Sequence, residues 1–446
     1  MTAKKRRKKR RTQVNRRIAP VLAAMLLIIA VLACMFISYL IEKYSPSKER
    51  MAWTEYYSVS GEDEVAVILN NELTDIKGRM IDGEVYVTTD TLYDYLNERF
   101  YWDQAENLLL YTTPTEVITA AVGSAAYSVG SQSYTEDYVP VKVDGDTAYV
   151  ALAYIQKYTG LQYEVMTDEV NRVNLTTKFG TVDTVTVKRN AQVRYRAGIK
   201  SPILTDVAKG DVLYVLPEED VGEWTKVRTS NGFIGYIRNR FLGEAGQETL
   251  TSNYEEPVYT NISKDYTINM AWHQVTNSDA NSNVLEMIAN TKGLTTISPT
   301  WFFLSDNEGN IESLASQTYV NYCHQNNIEV WALVEDIKYK DTILDYEILS
   351  RTSSRQRLVN NLIARAIEFD LDGLNIDFEY INQDSAKAYL QFLRELSIKC
   401  RQNGIVLSVD NYRPADHNAF YDLEEQGTVV DYVILMGYDE HYAGSE

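Results

Sequence analysis

Cysteine and histidine are both scarce in this chain of 446 residues. The three cysteines, Cys34, Cys323 and Cys400, cannot form a disulfide framework, and Cys323 and Cys400 each end a predicted helix, so we expect buried free thiols. The four histidines are scattered and lack the spacing that metal ligands require. The sequence therefore predicts no structural metal and no cofactor.

Basic residues are also scarce once the first 17 residues are set aside. Residues 1–17 hold ten Lys or Arg and no acid, whereas the remainder carries 33 Lys or Arg against 62 Asp or Glu. Such an acidic body is poorly suited to binding nucleic acid or anionic lipid, because both carry negative charge. We expect no nucleic-acid partner.

A charge-free apolar run covers residues 18–41, near the amino terminus. As a helix its 24 residues would be about 36 Å long, enough to cross a bilayer. The preceding basic block, 1–17, should remain cytoplasmic, which predicts a single-pass cell-membrane protein with everything after Glu42 outside. A cleaved signal peptide and a lipoprotein box ending at Cys34 are the alternatives. The length of the run and its continuation past Cys34 favour an anchor.

Three segments follow the apolar run. Residues 42–64 are polar and predict a stalk. Residues 65–177 contain a weak internal repeat, in which 81–111 and 143–175 each read as a DG turn, a strand, a short helix and a hairpin. This pattern resembles the copper amine oxidase N-terminal-like repeats of bacterial wall proteins. The segment has no His or Cys, so neither copper chemistry nor an amine oxidase is supported, and a spacer or adhesion module is expected.

Residues 183–243 change to short alternating strands separated by Gly and Asn turns, a pattern typical of a small β-barrel. The run WTKVRTSNGFIGYI, residues 224–237, resembles bacterial SH3-like domains. The resemblance implies either a spacer or a domain that binds wall peptides. We expect 65–243 to fold independently of the rest of the chain.

From residue 262 the sequence alternates apolar strands with helices, which predicts a parallel sheet covered by helices. The expected strands are 267–273, 294–300, 328–334, 373–378, 405–410 and 431–437. Trp272, Trp301 and Trp331 lie near strand ends, as do Glu379 and Tyr438. In a (β/α)8 barrel the carboxyl ends of the strands form the active-site face.

The fourth predicted strand carries polar residues inside an apolar pattern, DGLNIDFE at 372–379. Because side chains alternate along a strand, Asn375, Asp377 and Glu379 should share one face while the apolar residues face the helices. Burial and mutual repulsion should raise a carboxyl pKa, which is what a general acid requires at neutral pH. Glu379 is last in the row and nearest the mouth. Asp372 has the opposite parity and is expected to be structural.

This row resembles the D-x-x-D-x-D-x-E signature of glycoside hydrolase family 18, the chitinase-like (β/α)8 barrels. Met436 to Asp439, MGYD, is similar to the family's second motif, M-x-Y-D. Together with the SH3-like segment, these features most resemble the spore-germination branch, whose members cleave N-acetylglucosaminyl links in peptidoglycan. The resemblance implies an α/β fold, a TIM barrel over 262–446.

The resemblance also implies roles for individual residues. Glu379 would protonate the leaving oxygen, Asp377 would hold the 2-acetamido group of the substrate, and Tyr438 would donate to the acetamido oxygen. The residues implied to bind substrate are Asp439, Asn375, Trp272, Trp301, Trp331 and Met436. A structural ion pair remains the alternative for the carboxylates, and core packing remains the alternative for the tryptophans.

Two functions therefore remain open. The first is a membrane-anchored, outward-facing N-acetylglucosaminidase acting on peptidoglycan or chitin-like chains, and the second is a barrel that binds such glycans without cleaving them. Since six strands are predicted and a closed barrel needs eight, we expect the sequence to be a fragment that is incomplete at its carboxyl end.

Overall fold

The computed structural model describes residues 3–217 and 221–437. The chain forms two compact units, one made of residues 1–75 with 164–251 and the other of 76–163 with 252–446. The expectation that 65–243 folds as a body of its own is not met, because Tyr101 and Leu110 are buried in the same apolar core as the residues of the parallel sheet. The predicted boundaries at 177 and 262 do not coincide with the boundaries of these units.

The helices and helical turns are short except for α1, α8 and α9. The α-helices are α1 Ala3–Tyr44, α2 Trp53–Tyr56, α3 Thr89–Thr91, α4 Leu152–Gln156, α5 Val284–Ala289, α6 Gln317–Gln325, α7 Asp345–Ser350, α8 Thr352–Glu368, α9 Ala386–Asn403 and α10 Leu423–Val429. A π-helical turn covers Leu92–Leu96, and 3₁₀ helices cover Asn239–Phe241, Ser278–Asn283 and Asp416–Tyr421.

The strands occur along the whole chain after α2. They are β1 Glu64–Leu69, β2 Glu72–Ile81, β3 Glu84–Thr88, β4 Phe100–Asp103, β5 Leu108–Thr112, β6 Val117–Ala121, β7 Ala126–Val129, β8 Gln132–Thr135, β9 Val141–Asp144, β10 Thr147–Ala151, β11 Gln162–Met166, β12 Arg172–Thr176, β13 Gly180–Val187, β14 Ala191–Arg194, β15 Ile203–Val207, β16 Val212–Val215, β17 Trp224–Arg228, β18 Ile234–Arg238, β19 Leu242–Leu250, β20 Met270–His273, β21 Thr296–Leu304, β22 Ile311–Ser313, β23 Glu329–Glu335, β24 Gly373–Asp377, β25 Val406–Asn411 and β26 Tyr432–Leu435.

Helix α1 contains the apolar run as one continuous segment. Its portion from Ile18 to Tyr44 has 27 residues with a mean hydropathy of 2.9 in its most apolar window, and none of that window is buried against the rest of the chain. By length and composition this helix is able to cross a bilayer, and a signal sequence passes the same test.

The first unit contains an antiparallel sheet in the order β15-β14-β18-β17-β16-β13-β19. The stalk predicted for 42–64 is partly wrong, because α2 belongs to a core of this unit. Tyr56 and Tyr57 are buried there with Phe233, and the Tyr56 hydroxyl donates to the Ile234 carbonyl oxygen at 2.8 Å. Their aromatic rings bury more apolar surface than the polar composition of the segment suggested.

The repeat predicted within 65–177 is visible as a recurring order of elements. A turn at Asp82 and Gly83 leads to β3, α3 and then β4 and β5, and a turn at Gly145 leads to β10, α4 and then β11 and β12. The positive φ values at Asp82 and Gly83, 53° and 90°, are those of a tight hairpin turn.

The second unit is built on a parallel sheet with the order β20-β21-β23-β24-β25-β26, and β22 pairs antiparallel to β21. All six predicted strands are present, in chain order, with helices α6, α8 and α9 between them. This confirms the α/β architecture, in which helices alternate with the strands of the sheet. That these six strands belong to a (β/α)8 barrel stays a prediction.

Strands β4 to β8 form a separate antiparallel sheet in the same unit. Asp103, at the end of β4, is 1% exposed and accepts hydrogen bonds at 2.6 Å from the Thr352 N–H and the Thr352 hydroxyl at the start of α8. Arg99 and Arg394 both bind Glu425 on α10. The sheet is thus joined to the helices of the unit by buried, charge-assisted hydrogen bonds.

Candidate active site

The polar row on β24 has the alternation that the sequence predicts. Leu374 and Ile376 are fully buried, and Phe378 stacks on Phe392 of α9 with ring centroids 5.7 Å apart. These three side chains belong to the core that includes the helices. Asn375, Asp377 and Glu379 therefore share the other face.

Asn375 is the centre of a hydrogen-bond network that spans four strands. It is fully buried, and its amide oxygen accepts from the Ser298 hydroxyl at 3.0 Å and from the Trp272 indole nitrogen at 3.1 Å. Its amide nitrogen donates to Ser408 at 3.1 Å and to Asp410 at 2.9 Å. With two bonds accepted and two donated, the amide has a fixed orientation.

Asp410 is a second buried carboxyl beside this row. It lies on β25 at 3% exposure and accepts hydrogen bonds from Asn375 and, at 3.1 Å, from the Trp272 indole nitrogen. Burial raises the pKa of Asp410 to about 6, which these two donors oppose and the charge of Glu379 reinforces. The register that pairs Ile376 with Val409 places Asp377 and Asp410 at neighbouring strand ends.

Asp377 is the most strongly perturbed carboxyl of the row. Burial first, and then the charges of Asp410 and Glu379, raise the pKa of Asp377 to about 8. Its Oδ1 atom is buried and has no hydrogen-bond partner among the described residues. The raised pKa favours the protonated form of Asp377 near neutral pH, and the partnerless oxygen marks Asp377 as a candidate functional group.

Glu379 is the second residue after the end of β24 and is partly exposed. The Tyr412 hydroxyl donates to its Oε2 atom. Its backbone N–H donates to Asp336 at 3.0 Å. In the described part of the chain no Lys or Arg forms a salt bridge with Asp377 or Glu379, so the ion-pair alternative finds no cation there.

The structure separates the three tryptophans that the sequence grouped together. Trp272 lies at the site and is 38% exposed. Trp301 is fully buried and its indole nitrogen donates to Asn281 at 2.8 Å, whereas Trp331 is 1% exposed and donates to Glu329 at 2.9 Å. For these two the core alternative holds, because neither offers a ring face to a ligand.

Two further predicted residues lie outside the described residues, namely Tyr438 and Asp439. Met436 is described, is 5% exposed, and donates its backbone N–H to the Asn411 carbonyl oxygen at 2.9 Å. Asp372 binds His324 and the Val330 N–H, both at 2.8 Å, on the opposite side of the strand from the row, which agrees with the expected structural role.

Sequence reasoning missed four residues that build the site. They are Ser298, Asp336, Asp410 and Tyr412. Asp336 and Asp410 end or follow the apolar runs of β23 and β25, so the rule that singled out Glu379 applies equally to them. Ser298 and Tyr412 have no comparable signal in the sequence.

Three family models match successive segments of the chain. Residues 67–174 match the copper amine oxidase N-terminal domain, 189–243 match the bacterial SH3 domain, and 259–446 match glycosyl hydrolases family 18. The order and approximate limits agree with the resemblances found in the sequence.

Relatives among curated and solved proteins align with part of the chain. The uncharacterized glycosylase YvbX of Bacillus subtilis (strain 168) is 28% identical over 31% of this chain and 43% of its own length. The cortical fragment-lytic enzyme of the same organism is 28% identical over 22% of this chain and 24% of its own. The crystal structure of the spore cortex-lytic enzyme SleL of Bacillus megaterium QM B1551 aligns at 15% identity over 53% of this chain and 58% of its own, with a TM-score of 0.34.

The chain spans less than half the length of these curated relatives. The matched segment nevertheless contains the whole polar row and its hydrogen-bond network. Residues 259–446, which hold the candidate active site, thus match the family model of glycosyl hydrolases family 18.

Proposed function

We propose that this chain is a glycoside hydrolase that cleaves β-linked N-acetylglucosamine in peptidoglycan by substrate-assisted, retaining catalysis. The observation that carries the proposal is that two carboxyl groups, those of Asp377 and Glu379, lie two positions apart on the same face of the chain. Both carboxyls are half-buried at the carboxyl end of the strand, but the pKa of Asp377 is raised to about 8 and its Oδ1 has no partner among the described residues, whereas Glu379 accepts a hydrogen bond from the Tyr412 hydroxyl. Two neighbouring carboxyls in different environments take different roles in acid–base chemistry.

Glu379 acts as the general acid and base. It transfers a proton to the leaving glycosidic oxygen as the anomeric carbon–oxygen bond breaks and the substrate's acetamido oxygen bonds to the anomeric carbon. Water then attacks that carbon as its bond to the acetamido oxygen breaks, and a proton of the water passes to Glu379. Attack on opposite faces in the two steps retains the anomeric configuration.

Asp377 binds the acetamido N–H through its carboxyl group. Positive charge develops on that nitrogen in the cyclic intermediate, and a carboxylate stabilises it better than a neutral carboxyl does. Asp377 therefore has to be ionised when the cyclic intermediate forms. The roles of Tyr438 and Asp439 at the acetamido group follow from the family motif alone.

Peptidoglycan is the proposed substrate because a relative is a cortical fragment-lytic enzyme and because a bacterial SH3 domain lies in the same chain. The exposed part of Trp272 offers an apolar surface on which a sugar ring can pack. The SH3-like segment is proposed to contact wall peptides.

The chain is further proposed to be anchored in the cell membrane by α1, with its amino terminus in the cytoplasm and the hydrolase outside. The basic residues before Ile18 and the 27-residue apolar portion of the helix support this orientation. Carbonate extraction of membranes and protease treatment of intact cells test it. A shortened chain recovered in the soluble fraction would favour a signal peptide.

The central experiment is digestion of purified peptidoglycan by the full chain in detergent, with mass spectrometry of the reduced products. N-acetylglucosamine at the new reducing ends is the expected result. Glu379→Gln should lower the rate by at least ~10²-fold without weakening glycan binding, since only the transferable proton is removed. The matched control, Glu424→Gln, changes an exposed carboxylate on α10 and should leave the rate unchanged.

Two further outcomes test the mechanism. Products should keep their anomeric configuration by NMR, and substrates without a 2-acetamido group should not be cleaved. Glycan binding without any cleavage by the parent chain would instead support the binding-protein alternative.

A further inference from the structure

A buried pair of carboxyl groups lies behind Glu379, outside the row itself. Asp336 directly follows β23 and is 6% exposed, and Asp345 begins α7 and is 8% exposed. The two carboxyl groups lie within hydrogen-bonding reach of each other and perturb each other's pKa. Neither residue is needed for the chemistry proposed above, yet burying two carboxyls together is costly unless they serve a purpose.

Asp336 holds the backbone that carries Glu379. Its Oδ1 accepts the Glu379 N–H at 3.0 Å, and its Oδ2 accepts the Tyr380 N–H at 2.8 Å. Since β23 and β24 pair in parallel up to Glu335 and Asp377, these two N–H groups lie just beyond the last paired residues. The carboxylate takes the place of the next strand partner and fixes both peptide groups at once.

A second contact fixes the same turn from the other side. The Tyr421 hydroxyl donates to the Phe378 carbonyl oxygen at 3.0 Å. The peptide groups on both sides of the Glu379 Cα are thus held, the first by Asp336 and Tyr421 and the second by Asp336, and they set the direction in which the Glu379 side chain leaves the backbone.

Asp345 supplies the proton that makes this arrangement possible. Burial and the charge of Asp336 raise the pKa of Asp345 to about 8, so it is neutral at pH 7 and donates to Asp336. Burial also raises the pKa of Asp336, but the backbone donors around it favour its charged form. Two adjacent buried carboxylates would repel each other, so the pair shares one proton.

We propose that Asp336 and Asp345 form a proton-sharing pair that positions Glu379 for general acid catalysis. The pair consists of positioning residues, since neither is placed to touch the substrate. The inference rests on the proposed role of Glu379. The two hydrogen bonds from the Glu379 and Tyr380 N–H groups to Asp336, called the backbone clamp below, can nevertheless be measured without any activity.

The first measurement is hydrogen exchange of the full chain in detergent, read by mass spectrometry on peptides covering 378–382. Asp336→Asn should speed exchange at these amides at least tenfold, because an amide nitrogen faces one of the two N–H donors and cannot accept from it. Peptides from β14 to β18 in the first unit should not change. Unchanged exchange at 378–382 would overturn the clamp.

The second measurement is hydrolysis of a soluble N-acetylglucosamine oligosaccharide with a fluorescent leaving group. Asp336→Asn should lower kcat by about 10- to 100-fold with KM within threefold, since a misplaced acid impairs the reaction more than ground-state binding. Equal effects on kcat and KM, or no effect on either, would contradict a positioning role.

Asp345 provides the matched pair of variants. Asp345→Asn keeps a donor of the same shape and should retain kcat at pH 7 within threefold, whereas Asp345→Ala should lose at least tenfold. If both variants behave alike, the donated hydrogen bond is not what matters, and the proposal fails. This comparison also guards against a simple folding defect in Asp336→Asn.

The last measurement uses pH. The parent loses the Asp345 proton between pH 7 and pH 9, whereas the side-chain amide of Asp345→Asn keeps its donor. The kcat of Asp345→Asn relative to that of the parent should therefore rise over this range. The titratable groups that face the pair from the neighbouring elements are Glu335, Asp377, Glu379, Tyr389 and Tyr421. They are common to both proteins, so the ratio isolates Asp345, and a ratio independent of pH would overturn the shared proton.

If the parent chain cleaves no glycan, the proposed function fails. Hydrogen exchange at the Glu379 and Tyr380 amides then tests the backbone clamp independently of activity. If the parent chain is active and Asp336→Asn is equally active, the function stands and the present inference fails.

Discussion

Replacing Asp377 by Asn should stabilise the second unit at neutral and alkaline pH while it impairs hydrolysis. Asp377 is half-buried, and the charges of Asp410, Glu379, Asp336 and Glu335 add to the effect of burial in raising its pKa. Its Oδ1 has no partner among the described residues that would favour the charged form. An Asn of the same shape removes the charge and keeps the packing.

The sign follows from the direction of the pKa change. A carboxyl whose pKa is higher in the folded chain stabilises the fold at low pH, and that stabilisation is lost as the pH rises towards the folded pKa. For Asp377 the window extends from its ordinary pKa of 3.8 to about 8. Each tenfold difference in proton affinity corresponds to about 1.4 kcal/mol, so the loss between pH 5 and pH 8 has a ceiling of about 4 kcal/mol. Because Asp377 shares this repulsion with its neighbours, we expect about 2 kcal/mol.

The assay is urea-dependent hydrogen exchange of the full chain in detergent, read on peptides from β24 and β25 at pH 5 and pH 8. The free energy of unfolding of the parent should fall between these pH values by about 2 kcal/mol more than that of Asp377→Asn. Asp341→Asn, which removes an exposed carboxylate, is the control and should behave like the parent. An identical pH dependence in the parent and Asp377→Asn would refute the reasoning.

Three further changes have defined outcomes. Asn375→Asp places a carboxyl against Asp410, so the two should share a proton and the pH profile of hydrolysis should change; superimposable profiles would show that position 375 is not coupled to the site. Gly373→Ala should lower the free energy of unfolding of the second unit by about 1–3 kcal/mol, because the added Cβ would lie 2.7 Å from the Trp331 ring, and unchanged urea denaturation would contradict this. Asp103→Ala should destabilise the same unit by about 2 kcal/mol, since two donors at the start of α8 lose a buried charged acceptor, whereas no loss in thermal unfolding would show that the β4 contact is dispensable.

The sequence by itself determined those features that depend on neighbours along the chain. Alternation along a strand is a local property, so the residue order alone predicted that Asn375, Asp377 and Glu379 share one face. The same holds for the six parallel strands of the second unit, because apolar runs separated by amphipathic helices pair in few ways. The long apolar portion of α1 could likewise be predicted from the sequence.

Only the tertiary structure decided which residues from distant parts of the chain complete the site. Asp410 reaches Asn375 across 35 positions and Asp336 reaches Glu379 across 43, through a strand register that no local pattern encodes. Burial decided the tryptophans, since Trp301 and Trp331 lie under packed side chains while Trp272 stays at the edge of the network. Likewise, 76–163 belongs with the parallel sheet because Asp103 and Arg99 find partners on α8 and α10, and such pairing between distant elements depends on how their faces meet in space.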